Sequence, residues 1–395
     1  MFDARSAGLA FVTAAVQLIV PAAAAQSTES QQGSAPAEAA PASEAPPVLV
    51  GATIETYYQF NWNRVPDRTL ALRAYDTRAN SFSLQQVGLV VDAPPDVDAQ
   101  RRYGARVDLQ FGQATETVQG SAANEPRPDV YRHIWQAYGS YVLPLGPRGL
   151  QADAGKFASN LGYETNYAKD NQAFSRAYLF SFLPFYHSGV RLTFPIHSRV
   201  TALYLLTNGI QQTEDFNDFK SHQVAVVLKP LAAVTWTVNY YTGREQGDDG
   251  LPDGPDGRFT VVDTYASIAA TSALSLGLDL NYTTNQRQHD DPRLSLTGLG
   301  LYGRYQFSDA FAAGVRYERL ADEGLFGGIE QTLHEITVTG EYRLADGFLV
   351  RAEYRRDSSD ELFFPGPSGS ADPRRAQPTA LIGAVWVLGT KKGTW

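Results

Sequence analysis

The chain has 395 residues, with 42 Asp and Glu against 33 Lys and Arg, a formal net charge of -9, and no Cys. Without thiols there are no disulfides, thiolate metal sites or thiol nucleophiles, and the acidic balance argues against nucleic acid as a partner. No run of about twenty apolar residues occurs, which excludes a spanning helix, whereas Tyr and Phe are abundant enough to supply aromatic girdles at membrane interfaces.

Arg5 precedes an apolar run from Leu9 to Val20, and Ala23-Ala24-Ala25 offers a small-residue cleavage site before Gln26. This is the layout of a secretory signal peptide over residues 1–25, too short to anchor the chain as a helix. No Cys follows it, so a lipoprotein anchor is excluded. Residues 26–47 are Ala, Pro, Ser, Glu and Gln with almost no large apolar side chain, the composition of a flexible periplasmic tether.

From Val48 onward the hydrophobic period is two. Tyr103, Ala105, Val107, Leu109 and Phe111 share one parity, and Arg106, Asp108 and Gln110 the other. The same pattern sets Leu276, Leu278 and Leu280 against Asp279, Val315 and Tyr317 against Arg316 and Glu318, Ile336 and Val338 against Glu335 and Thr337, and Val350 and Tyr354 against Arg351 and Glu353. A strand with one apolar and one charged face needs water on one side only. About sixteen such runs recur, joined by connections that alternate in length. Short turns such as 195–199, 229–232, 308–309 and 345–347 alternate with longer segments rich in Asp, Gly, Pro and Asn, such as 64–80, 113–129, 159–184, 208–221, 244–258 and 357–376. The last run, Thr379 to Leu388, leads toward Trp395 and is expected to pair back to the first. The predicted fold class is therefore all-β: a transmembrane antiparallel up-and-down β-barrel of about 16 strands over residues 48–395, with short periplasmic turns and long external loops. A large soluble sandwich predicts the same alternation but not the alternating loop lengths.

If the apolar face meets lipid, Glu55, Arg106, Asp108, Arg191, Asp263, Asp279, Arg304, Arg316, Glu318, Glu335, Glu341, Arg343, Arg351, Glu353 and Arg355 point into the lumen. Neighbouring Arg and Glu either neutralise one another across the wall or set the field felt by a passing solute. Segment 159–184 is the longest connection and carries Glu164, Lys169, Asp170 and Arg176, followed by the apolar run Tyr178 to Leu183. Two placements stay open for it, folded inward as a constriction or packed on the rim or a subunit contact. Asp248, Asp249, Asp253 and Asp256 lack the spacing of a calcium loop and read as turn residues, so no metal or other cofactor is expected. No phosphate loop, nucleophile elbow or paired His motif occurs. His133, His187, His197, His222, His289 and His334 are scattered, with His187 and His334 the conceivable bases of an alternative barrel enzyme acting on lipid or peptide; a structural or adhesion barrel with a closed lumen is the third reading.

Gly155-Lys156-Phe157, Gly162-Tyr163-Glu164 and the run Pro184-Phe185-Tyr186-His187-Ser188-Gly189-Val190-Arg191 resemble the OmpL-like putative β-barrel porin-2 family of outer-membrane porins, over nearly all of 48–395. The resemblance implies a water-filled diffusion channel in the outer membrane of a Gram-negative bacterium, without catalytic residues. Lys391 and Lys392 depart from the aromatic alternation usual before a terminal aromatic residue. The expected partners are outer-membrane lipids and lipopolysaccharide, small polar solutes or ions, and two further copies in a homotrimer. Net acidity tilts the solute toward cations or neutral molecules.

Overall fold

The computed structural model describes residues 48–119, 125, 127–146, 148–245, 257–391 and 393–395. The expected signal peptide and tether, and Asp248, Asp249, Asp253 and Asp256, lie outside the described residues. The described chain forms β1 (Leu49–Asn61), β2 (Ser81–Ala93), β3 (Tyr103–Phe111), β4 (Ile134–Leu143), β5 (Leu150–Ala158), β6 (Tyr186–His197), β7 (Val200–Thr207), β8 (Ser221–Leu231), β9 (Val234–Gly243), β10 (Phe259–Ala269), β11 (Leu274–Asn285), β12 (Leu294–Gln306), β13 (Phe311–Glu323), β14 (Glu330–Ala345), β15 (Phe348–Ser359), β16 (Phe364–Gly366), β17 (Gly369–Arg374) and β18 (Ala376–Gly389).

β16 and β17 form a small hairpin of their own, and the other 16 strands close into one antiparallel barrel. Each pairs with its neighbours in the sheet, and β18 returns to β1 in a register running from Asn61 opposite Thr379 to Gly51 opposite Gly389. Closure matters because hydrocarbon offers no partner to an unpaired amide or carbonyl.

Parity alone leaves open which face is outside, and solvent exposure decides it. On β14, Gln331, Leu333, Glu335, Thr337, Thr339 and Glu341 are buried, whereas Ile336 and Val338 are 43% and 47% exposed. Val50, Leu89, Val107, Val224, Leu301 and Ile382 likewise face outward from their strands. Apolar side chains outside and charges inside invert the arrangement of a water-soluble protein and match a lipid-facing wall. Tyr103, Tyr141, Tyr305, Phe311 and Tyr342 mark the periplasmic end of that wall, while Trp62 meets Tyr354 edge-on at 6.0 Å near the other. Leu301→Arg, in the middle of the outward face of β12, is expected to lower barrel stability by roughly 2–4 kcal/mol; folding titrations into lipid vesicles measure this.

Two local devices shape the inner face. A register shift between Glu55 and Thr56 brings both Gln85 and Gln86 of β2 into the interior, and Gln85 Nε2 donates to Glu55 Oε2 at 2.8 Å. Gly155 (φ +135°) and Gly189 (φ +156°) sit opposite each other in the β5–β6 ladder. A Cβ on either would lie 2.3 Å from the Ala137 carbonyl oxygen or 2.1 Å from that of Leu206, so this stretch of wall requires glycine.

The last strand pairs back to the first as expected, and a turn separates it from Trp395. β18 stops at Gly389 (φ +103°), and the amides of Thr390 and Lys391 both donate to the Val50 carbonyl, at 2.8 and 3.0 Å. Beyond that turn the Trp395 ring lies against Gly51, inside the periplasmic end of β1. Lys391 folds with it, its ammonium 2.7 Å from Asp92. Closure thus rests on the β18–β1 ladder.

Candidate functional site: the lumen and the segment folded into it

Segment 159–185, between β5 and β6, lies inside the barrel. Its short helix at Tyr178–Phe182 buries Tyr178 and Leu179, which with Leu161 and Leu183 pack on the inward-facing Tyr241, Val261, Leu296, Leu320 and Leu333 of the wall. The apolar run that made a solvated loop untenable finds its partners here. Burial of apolar area favours this placement, but the segment's exposed backbone groups oppose it unless each meets a partner.

The wall supplies those partners. Asp263 Oδ2 accepts the Gly162 amide at 3.1 Å, and Asp279 Oδ2 accepts that of Tyr163 at 3.0 Å. Glu55 accepts the Ala168 amide at 2.8 Å, Glu353 takes those of Phe174 and Ser175, and Glu318 those of Tyr178 (2.5 Å) and Leu179 (3.0 Å). Guanidinium groups do the same for carbonyls. Arg351 reaches the oxygens of Ala168, Asn171 and Ala173 at 2.7, 2.8 and 2.9 Å, Arg316 that of Ser175 at 2.7 Å, and Arg355 that of Arg176 at 2.5 Å. A carboxylate is acceptor-only and a guanidinium donor-only, so a wall carrying both can hold both kinds of backbone group.

Register explains why the charges sit together. Glu318 faces Glu335 across β13–β14, and Glu335 faces Asp357 across β14–β15, giving an acidic row. Two residues along, Arg316, Thr337 and Arg355 form the neighbouring row. Arg316 bonds Glu335 at 3.0 Å and Glu164 at 2.7 Å, and Arg355 bonds Asp357 at 2.8 Å. Elsewhere Arg351 and Arg304 share Glu341, each at 2.7 Å, Arg106 pairs with Asp108 and Arg191 with Asp153. Arg106, Arg191, Arg304, Arg316, Arg351 and Arg355 are thus each paired with a carboxylate, while Glu318, Glu353, Asp263 and Asp279 hold the inserted segment.

The four charged residues singled out on that segment lie inside with it. Glu164 joins Arg316 and also accepts the Ala177 amide at 2.8 Å. Arg176 donates to the carbonyls of Phe174 and Asn166 and stands 3.8 Å from Glu55. Lys169 and Asp170 bond at 2.8 Å at the periplasmic tip. There the Lys169 ammonium donates to the Gly393 carbonyl and sits 4.4 Å over the Trp395 ring, while Asp170 accepts the Trp395 amide at 3.1 Å. Burial lowers the Lys169 pKa from its ordinary value, against the opposing pull of Asp170.

Sequence reading missed that connection 62–80 also enters the barrel. Arg73 bonds Asp76 and, at 2.7 Å, Asp357, and the Tyr75 hydroxyl donates to Asn166 of the longer segment. A fully buried Arg-Ala-Tyr-Asp stretch carries no periodic signal that would reveal this.

Beneath the segment's tip a cavity of about 500 Å³ opens between it and the wall, lined by Lys169, Arg304, Arg343 and Arg351 against Asp170 and Glu341. Arg343 is exposed there, at the rim. The two candidate bases separate. His334 shares the outward parity of Ile336 and meets the Tyr317 hydroxyl at 3.0 Å. His187 is fully buried, with Nε2 3.2 Å from Ser159 Oγ and Nδ1 3.2 Å from the Gly209 carbonyl. A hydroxyl and imidazole in contact are two parts of a nucleophilic site, but here a carbonyl rather than a carboxylate orients the ring. Among the described residues no three His, Asp or Glu converge as a metal site.

Solved barrels share this fold. An anion-selective porin from Comamonas acidovorans superposes with a TM-score of 0.58 at 11% identity, covering 86% of this chain and 99% of that one. The outer membrane channel DcaP of Acinetobacter baumannii gives 0.55 at 10% identity (86% and 97%), and a trimer form of OmpT, an outer membrane protein of Vibrio cholerae, gives 0.53 at 12% (86% and 99%). Among curated proteins none matches the sequence. The model of the family "Putative beta-barrel porin-2, OmpL-like" matches residues 47–387. With a closed 16-stranded wall, an apolar exterior and a charged interior, the chain belongs to that family and is a channel-forming porin of the bacterial outer membrane.

Proposed function

We propose that the protein is a passive channel for small polar solutes or ions whose aperture is set by segment 159–185, with the wall charges serving chiefly to hold that segment in place. The observation that carries this reading is the row of wall carboxylates and guanidiniums bonded to the segment's backbone. A 16-stranded wall is wide enough for an aqueous channel, so what fills it governs what passes. No catalytic step belongs to this reading, and the Ser159–His187 contact is structural.

Whole-chain acidity favours cations, but a solute meets only the charges that line its path. In the periplasmic cavity four cationic side chains face two carboxylates, which favours small anions at that mouth. Export through the signal at 1–25 and assembly as a homotrimer complete the proposal. Single-channel recording of the refolded protein in a planar bilayer under a salt gradient tests it. Steady openings with a reversal potential on the anion side are expected. A folded, silent barrel would refute the channel, and a cation-side potential would refute the role given to Arg304 and Arg343.

A further inference from the structure

The periplasmic cavity beneath the tip of the inserted segment changes character along its wall. One side is built around Glu341, which Arg351 and Arg304 share, each at 2.7 Å. Arg351 is saturated, because it also donates to the carbonyls of Ala168, Asn171 and Ala173. Arg304 is not. It reaches Glu341 through Nη2 alone, across a stretch of β13 that presents only Ala312 and Gly314, and its Nε and Nη1 have no protein acceptor among the described residues. Arg343 follows Glu341 on the same face of β14, about 7 Å along the strand. It is exposed, and its guanidinium has neither a hydrogen bond nor an ion pair among the described residues. Lys169, by contrast, is occupied by Asp170 and the Gly393 carbonyl. Four cations against two carboxylates leave two positive charges in excess, and the free donors that carry them belong to Arg304 and Arg343.

Beyond Arg304 the wall of the same cavity carries hydroxyls instead. Ser275 stands directly opposite Arg304 in the β11–β12 register, and Thr235 stands opposite Ser267 in the β9–β10 register. All three line the cavity, and the hydroxyls of Thr235 and Ser275 have no protein partner among the described residues. A hydroxyl both donates and accepts, so this stretch can meet the hydroxyls of a solute, whereas guanidiniums only donate and call for an anionic oxygen. The volume of about 500 Å³ falls within the range of small-molecule sites, about 300–1,000 Å³.

We propose that this cavity is a saturable site for a small hydroxylated organic anion of the sugar-acid or polyol-phosphate class, its anionic group taken by Arg304 and Arg343 and its hydroxyls by Thr235, Ser267 and Ser275. A plain anion engages only the first set of donors and a neutral sugar only the second, so the site distinguishes solutes that charge alone does not. The inference rests on the anion preference assigned to this mouth and deepens it: solutes enter the constriction from a bound state that selects among anions by their hydroxyls.

The experiment measures binding without current, by isothermal titration calorimetry of the full-length barrel refolded in detergent, with gluconate, glycerophosphate, acetate and glucose as probes. Saturable binding of gluconate or glycerophosphate is expected, the tighter of the two showing whether the site prefers carboxylate or phosphate, with acetate and glucose roughly tenfold weaker. R343Q, which removes a side chain with no bond to the wall and so leaves the fold intact, is expected to weaken the bound anion roughly tenfold. T235V/S275A is expected to bring the hydroxylated anion close to acetate while acetate itself is unchanged. Each variant is first shown to migrate as a folded, heat-modifiable band. No binding of either hydroxylated anion, acetate binding as tightly as they do, or an R343Q titration equal to wild type each overturns the site. A barrel that binds as expected but stays silent in a bilayer refutes the channel and upholds the site, whereas one that conducts with anion preference and does not bind overturns the site alone.

Discussion

With Glu318 and Glu353 both replaced by Ala, single-channel conductance is expected to rise by roughly two- to threefold, with increased open-channel noise. These two side chains accept the amides of Phe174, Ser175, Tyr178 and Leu179, which fix the part of the inserted segment nearest β13 and β15. A buried amide left without an acceptor costs about 1–3 kcal/mol. Losing all four therefore favours conformations in which this part moves out of the lumen toward water. E318Q/E353Q keeps an acceptor oxygen at each position and is expected to lie between Ala and wild type. A conductance identical to wild type from a folded E318A/E353A barrel would show that the segment does not set the aperture.

Arg316→Met is expected to cost the folded state about 3–5 kcal/mol, because it strands buried Glu164 without its counter-charge and leaves buried Glu335 with only Arg355, 3.6 Å away. Arg316 is 2% exposed and meets Glu335 and Glu164 at 3.0 and 2.7 Å, joining a wall strand to the inserted segment. It also donates to the Ser175 carbonyl, so the loss falls on the segment as well as the sheet. R316K keeps the charge but not the planar fork that serves Glu335, Glu164 and Ser175 together, and is expected to recover only part of the loss. Urea titrations into vesicles measure each value. Further replacement of Glu164 and Glu335 by Gln in the Met variant removes the stranded charges, and most of the deficit should return. A loss under about 1 kcal/mol for Arg316→Met would mean that water already screens this cluster.

How much of this was legible beforehand follows from the range of the forces involved. Period-two alternation is local, because successive side chains of a strand leave opposite faces, and so the barrel strands, the alternating short and long connections, and the residues sharing a face with Arg316 or Glu353 could be read directly. Lys391 and Lys392 interrupting the final alternation already marked the chain end as unusual, and the turn at Gly389 accounts for it. The hairpin β16–β17 within the last long loop was not foreseen, since its short strands carry no alternation.

The sequence by itself determined the sheet: a repeat of amphipathic strands too numerous and too evenly spaced to leave an edge, with one charged face whose members were known by number. Only the tertiary structure decided what that face does. Period two is symmetric under inversion, so exposure had to say which side meets lipid. The position of segment 159–185 depends on contacts such as Tyr178 with Glu318, 140 residues apart, and on Asp263 and Asp279 of adjacent strands meeting the amides of Gly162 and Tyr163. A buried backbone must find its acceptors wherever the closed wall presents them, and no local pattern records where that is.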